Sequence, residues 1–175
     1  YNCLMAVTQP GDSVAVESPV YFGILQAIQL LGLKAVEIPT HPITGVDLDA
    51  LKKVLPKLSA CCFVVNYNNP LGFQMPDENK RELVKMLTEH NVPLVEDDVY
   101  GNIYFGAGRP KPCKFYDEAG IVMWVGSVSK TLAPGFRVGW VAPGKFKEKI
   151  IRQKLVQTVS GPSLFSDVIA DFLAH

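Results

Sequence analysis

The chain has 175 residues, 48% of them apolar, which suits one domain with a sizeable core. Lysine plus arginine matches aspartate plus glutamate at 17 each, so the formal charge is zero; a domain that grips nucleic acid through its phosphates is normally basic, and this segment is not read as one. No apolar stretch approaches the roughly 20 residues of a membrane span, no basic stripe suits an anionic membrane, and no signal peptide stands at the start.

From the N-terminus, residues 1–8 read as the tail of a helix, stopped by the turn chemistry of Gln9-Pro10-Gly11-Asp12. Residues 13–17 (SVAVE) alternate apolar and polar and read as a strand. A helix over residues 21–31 follows, ended by Gly32 at the C′ position. Residues 34–38 read as a short strand and residues 39–45 as a Pro/Gly-rich loop. Asp47 is a good N-cap for a helix through Leu55.

Residues 60–65 (ACCFVV) form a near-continuous apolar run, the pattern of a strand buried on both faces. Residues 66–74 are a polar loop. Pro76-Asp77-Glu78 opens a helix whose apolar side is marked by Leu83, Met86, Leu87 and His90. Residues 93–96 (PLVE), 121–125 (IVMWV) and 138–142 (VGWVA) read as strands, with Trp124 and Trp140 in the core. Residues 145–159 and 164–173 read as helices, the first carrying a solvated basic face.

Strands that alternate with helices over this length imply an α/β fold: three layers, a mostly parallel sheet with helices on both faces. Such sheets bind ligands beyond the C-terminal ends of their strands. The cysteines, Cys3, Cys61, Cys62 and Cys113, form no CxxC pair or Cys/His cluster, which speaks against zinc. They read as buried free thiols in a reducing, cytoplasmic compartment. The chain opens on Tyr1 and closes at His175 in a helical pattern, so residues 1–175 are expected to be one domain cut from a longer protein.

The strand ends carry unusual polar residues. Ser18-Pro19-Val20-Tyr21 follows SVAVE, and Asn66-Tyr67-Asn68-Asn69-Pro70-Leu71-Gly72 follows ACCFVV. Asp97-Asp98-Val99-Tyr100 follows PLVE. Gly126-Ser127-Val128-Ser129-Lys130 follows IVMWV, and Pro134-Gly135-Phe136-Arg137-Val138-Gly139 comes after it. In these motifs, from Gln9 to about Val159, the chain resembles the large domain of fold-type I, class I/II aminotransferases. SxSKTLAPGFRVG, EDD followed closely by Tyr, and NNPLG are most similar to the aminotransferase-like domain of MocR-type regulators in the GntR family, where that domain is fused behind a winged helix-turn-helix.

The resemblance implies pyridoxal 5′-phosphate as cofactor. Lys130 would be its catalytic lysine, holding it as a Schiff base; the bland alternative is a surface lysine. Ser127, Ser129 and Arg137 suit the phosphate, through hydroxyl donors and a guanidinium fork. Asp97 would face the pyridine nitrogen and keep it protonated, where the alternative is a helix cap. Asp98 is read as the bland case. Tyr100 and Asn69 would donate hydrogen bonds to the phenolate oxygen, and Asn69-Pro70 is expected as a cis peptide. Tyr21 would stack on the pyridine face. No metal is expected, since His41, His90 and His175 lack ligand spacing.

The resemblance also implies parts outside this chain. These are a phosphate-binding Gly/Ser loop before Tyr1, a carboxylate-binding arginine in a small domain after His175, and a homodimer partner. The segment alone is therefore expected to bind cofactor weakly and to lack useful transaminase activity. Two functions stay open. One is an effector domain of a GntR/MocR-type regulator that senses an amino compound, with DNA bound only by a separate domain. The other is a catalytic aminotransferase acting on an amino acid and a 2-oxo acid.

Overall fold

The computed structural model describes residues 1–175. Seven strands, β1 (Ser13–Ser18), β2 (Lys34–His41), β3 (Gly45–Val46), β4 (Ala60–Phe63), β5 (Leu94–Asp97), β6 (Val122–Ser127) and β7 (Gly139–Ala142), form one sheet in the order β3-β2-β1-β4-β5-β6-β7. The pairs β1–β2, β1–β4, β4–β5 and β5–β6 are parallel. The two outer pairs, β2–β3 and β6–β7, are antiparallel.

Six helices accompany the sheet: α1 (Asn2–Val7), α2 (Phe22–Leu30), α3 (Leu48–Val54), α4 (Asp77–Glu89), α5 (Lys147–Thr158) and α6 (Ser163–Ala174). Alternate strand residues face opposite layers, as the pleat requires. Ala15, Cys61, Phe63, Leu94 and Val122 join a core with Leu51 of α3 and Leu83 and Leu87 of α4. Val14, Val16, Cys62, Val95 and Met123 join a second core with Leu4 of α1, Ile24 of α2 and Ile150 of α5. The three-layer α/β expectation therefore holds.

Local chemistry explains the helix ends. The Asp47 carboxylate accepts the Ala50 N–H at 2.9 Å and caps α3. Gly32 takes φ +66° just past α2, a conformation that glycine adopts without strain. Asp77 and Glu78 occupy the first turn of α4, where they complement the helix dipole.

Several readings are corrected. Residues 39–45 are not wholly a loop: β2 runs on to His41 and a turn leads into β3. Pro39 is tolerated because β3 pairs only with Thr40 and His41, leaving Pro39 where β2 is an edge. β1 forms as expected, but its alternation does not mark an exposed face: the strand is central and covered on both faces, and Glu17 is fully buried. His90 is not on the apolar side of α4; it is its exposed C-cap, with Nδ1 against Met86 O at 2.9 Å.

The chain goes from β1 outward to β2, then returns to place β4 on the other side of β1. That reversal puts the topological switch point at the C-terminal ends of β1 and β4, where an open α/β sheet forms its binding crevice.

Candidate functional site

A cleft of about 850 Å³ opens at this edge. Tyr21, Asp97, Ser127 and Arg137 line it, together with Cys62, Trp140 and the start of α1. Tyr21 is the N-cap of α2 and is 40% exposed. A Cβ on Gly23 would lie 2.4 Å from the Tyr21 ring, so glycine there leaves the ring its place. Asp97 is the last residue of β5 and Ser127 the last of β6, each one step inside the strand rather than just after it.

The remaining candidates adjoin the cleft. The Lys130 ammonium lies 5.7 Å from the centre of the Tyr100 ring, and Asn69 Nδ2 donates to the Tyr100 hydroxyl at 3.4 Å. Ser127 Oγ bridges Ser129 Oγ at 2.9 Å and Val138 O at 3.1 Å, and accepts the Ser129 N–H at 3.0 Å. Asn69-Pro70 is cis, as expected, and so is Ser18-Pro19, which was not foreseen. The fold thus gathers all eight candidates, from four strand ends, into one region.

The charges are arranged for an anion. Arg137 sits in the left-handed region at φ 52° and donates to Pro134 O at 3.1 Å. Neither it nor Lys130 forms an ion pair within this chain. Asp97 accepts one hydrogen bond, from Val99 N–H at 3.3 Å. Burial holds its carboxyl above the usual range; Asp98 adds to this, and Val99 N–H and the Lys130 charge oppose it. No helix follows Asp97, which removes the capping alternative.

A second layer supports these residues, and the sequence reading missed it. Asp98 is buried, accepting from Trp124 Nε1 at 2.6 Å, from Asn66 Nδ2 at 3.1 Å and from Arg109. Lys80 is fully buried in α4 and donates to Asn66 Oδ1 at 2.8 Å and Lys111 O at 2.7 Å. Trp140, read as core, instead lines the cleft. Glu17 could have been found: a carboxylate in a strand covered on both sides must be buried and bonded.

The family description "Aminotransferase class I and II" matches residues 1–175. The chain is 44% identical over 173 residues to the uncharacterized HTH-type transcriptional regulator YdcR of Escherichia coli K12, covering 98% of this chain and 37% of that protein. It is 45% identical over 153 residues to the uncharacterized HTH-type transcriptional regulator YjiR of the same organism, covering 86% and 33%. Among solved structures, LysN, the α-aminoadipate aminotransferase of Thermus thermophilus complexed with N-(5′-phosphopyridoxyl)-L-leucine, superimposes with a TM-score of 0.89 at 30% identity. That match covers 99% of this chain and 46% of LysN. The chain therefore spans less than half the length of these relatives.

Proposed function

The chain belongs to the class I and II aminotransferase family, and on that premise we propose that it is the pyridoxal-phosphate-binding effector domain of a MocR-type transcriptional regulator of the GntR family. One observation carries the cofactor part: two cations without an anion partner, Lys130 and Arg137, stand near a partly buried carboxylate, Asp97, at the strand ends. That donor set fits the group, which needs an amine, a phosphate grip and an acid for its ring nitrogen.

The bound cofactor supplies an aldehyde that captures amines and a protonated ring that draws electrons from them. Lys130 would supply the amine that holds it. Arg137, Ser127 and Ser129 hold the phosphate by charge-assisted hydrogen bonds. Asp97 keeps a proton at the ring nitrogen, and its burial strengthens that pairing. Tyr100 and Asn69, already paired, would hold its phenolate oxygen, and Tyr21, at the cleft wall, would pack against its ring.

The regulator reading draws its support from the names of the 44% and 45% identical relatives, both HTH-type regulators. In it, DNA is bound by a separate domain, the full-length protein is a cytoplasmic homodimer, and an amino compound acts as the effector. The 30% identical α-aminoadipate aminotransferase favours the second reading, a catalytic aminotransferase. One experiment on the full-length protein separates them. Cofactor-dependent binding to its own promoter DNA, lost in Lys130→Ala, is expected of the regulator. Amino transfer to a 2-oxo acid without DNA binding overturns that reading in favour of the enzyme.

A further inference from the structure

Glu17 is the least explained residue of the cleft region. It is fully buried in β1, at the switch point of the sheet. Its Oε1 accepts the Val64 N–H at 2.5 Å and Asn68 Nδ2 at 3.4 Å. Its Oε2 has no partner at all. A buried oxygen left without a partner is costly, and few such groups survive in a folded protein without a role.

The next links lead to the cofactor site. Asn68 is 3% exposed and is tied on both sides. Its Nδ2 also donates to Val64 O at 3.1 Å, and its Oδ1 accepts the Leu71 N–H at 3.1 Å. Its backbone closes the turn, donating to Phe73 O at 3.0 Å and accepting from Gly72 N–H at 2.6 Å. Asn69 lies inside that turn, and its amide reaches Tyr100.

We propose that Glu17 is a positioning residue for the pyridoxal phosphate site: through Val64 and Asn68 it fixes the turn after β4 and so sets Asn69 against Tyr100. This rests on the cofactor reading given above. Glu17 touches neither cofactor nor substrate; it acts through Asn69. Burial favours its neutral form, in which Oε1 accepts both N–H groups without a buried charge. Burial pushes its carboxyl from 4.5 up to about 7, with the Val64 N–H and Asn68 opposing and Asp97 of β5 adding to the rise. The other titratable groups facing it are Cys61 and Cys62 of β4, and no cation pairs with it.

The test reads the visible absorbance of the lysine-bound cofactor against pH, in the full-length holoprotein. A hydrogen bond to the phenolate oxygen lowers the midpoint of that titration. Glu17→Ala is expected to raise the midpoint by about one unit and to weaken cofactor binding about tenfold. Asn69→Ala is expected to do the same, and the double variant no more than Asn69→Ala alone, since both act on one contact. Glu17→Gln, which keeps the acceptor oxygen, is expected to restore the wild-type midpoint.

A wild-type midpoint in folded Glu17→Ala, or additive shifts in the double variant, overturns the proposal. If the Ala form does not fold, Asn68→Ala interrupts the same relay with the acid in place; an unshifted midpoint there overturns it equally. Loss of the absorbance in Lys130→Ala establishes the cofactor reading separately. If Lys130→Ala keeps it, that reading fails; if only the midpoints stay unmoved, Glu17 alone is reassigned.

Discussion

Replacing Lys80 by methionine removes an ammonium and leaves the stem in place. Lys80 is fully buried, and its ammonium donates to Asn66 Oδ1 at 2.8 Å and Lys111 O at 2.7 Å. Asp77, half exposed, lies 3.6 Å away and adds a weak ion pair. The substitution strands one buried acceptor, Asn66 Oδ1, at a cost of about 1–3 kcal/mol, and weakens the part-buried Lys111 O, which keeps the Asn66 amide as a donor at 3.5 Å. The apolar methionine offsets part of this, so a net loss of about 2 kcal/mol is expected. In a domain of this size that lowers Tm by about 4–8 °C. Urea unfolding of the full-length apoprotein, followed by circular dichroism, measures it. Lys85 of α4 is the internal control: its side chain is 77% exposed and pairs with Glu89 at 4.0 Å, so Lys85→Met is expected to change stability by less than about 0.5 kcal/mol. Equal, small effects from both substitutions would refute the network and the burial of Lys80.

Three further outcomes follow from the same physics. Glu17 has a folded value of about 7 against 4.5 when exposed, so the folded state holds the extra proton between them; stability is expected to fall as pH rises through that window, and Glu17→Gln to flatten the slope by up to ~1.4 kcal/mol per pH unit in pH-resolved denaturation. Gly126→Ala places a Cβ 2.5 Å from Trp140 Nε1, and a loss of about 1–3 kcal/mol with altered tryptophan fluorescence is expected. Arg137→Lys keeps the charge but loses the planar fork, and titration of the apoprotein is expected to show cofactor binding weaker by about tenfold or more.

Much of the site was legible because its chemistry is written in short runs beside strong strand signals. An apolar run such as ACCFVV marks a central strand, and the residues after it must then face the crevice. Asp97 and Lys130 each follow such a signal within a few residues, so their convergence follows from the parallel sheet; Arg137 arrives at the same end just before β7, which runs back antiparallel to β6. The supporting layer was harder to see. Lys80 sits in an α4 surface pattern of charges, and only the tertiary contact with Lys111, on a loop 31 residues away, buries it. Asp98 looked like a cap because its partners, Trp124 and Arg109, come from other elements. β3 is two residues long, too short for a period-2 signal. Glu17 hid in the opposite way: SVAVE alternates like a half-exposed strand, yet neighbours on both faces bury it from Val14 to Glu17.

The central claim is that Lys130 carries the cofactor. The direct measurement is borohydride reduction of the full-length protein incubated with pyridoxal 5′-phosphate, followed by mass mapping of its peptides. The added mass is expected on the peptide containing Lys130, and no stable adduct is expected in Lys130→Ala. An adduct on a different lysine, or one that persists in the variant, would contradict the claim.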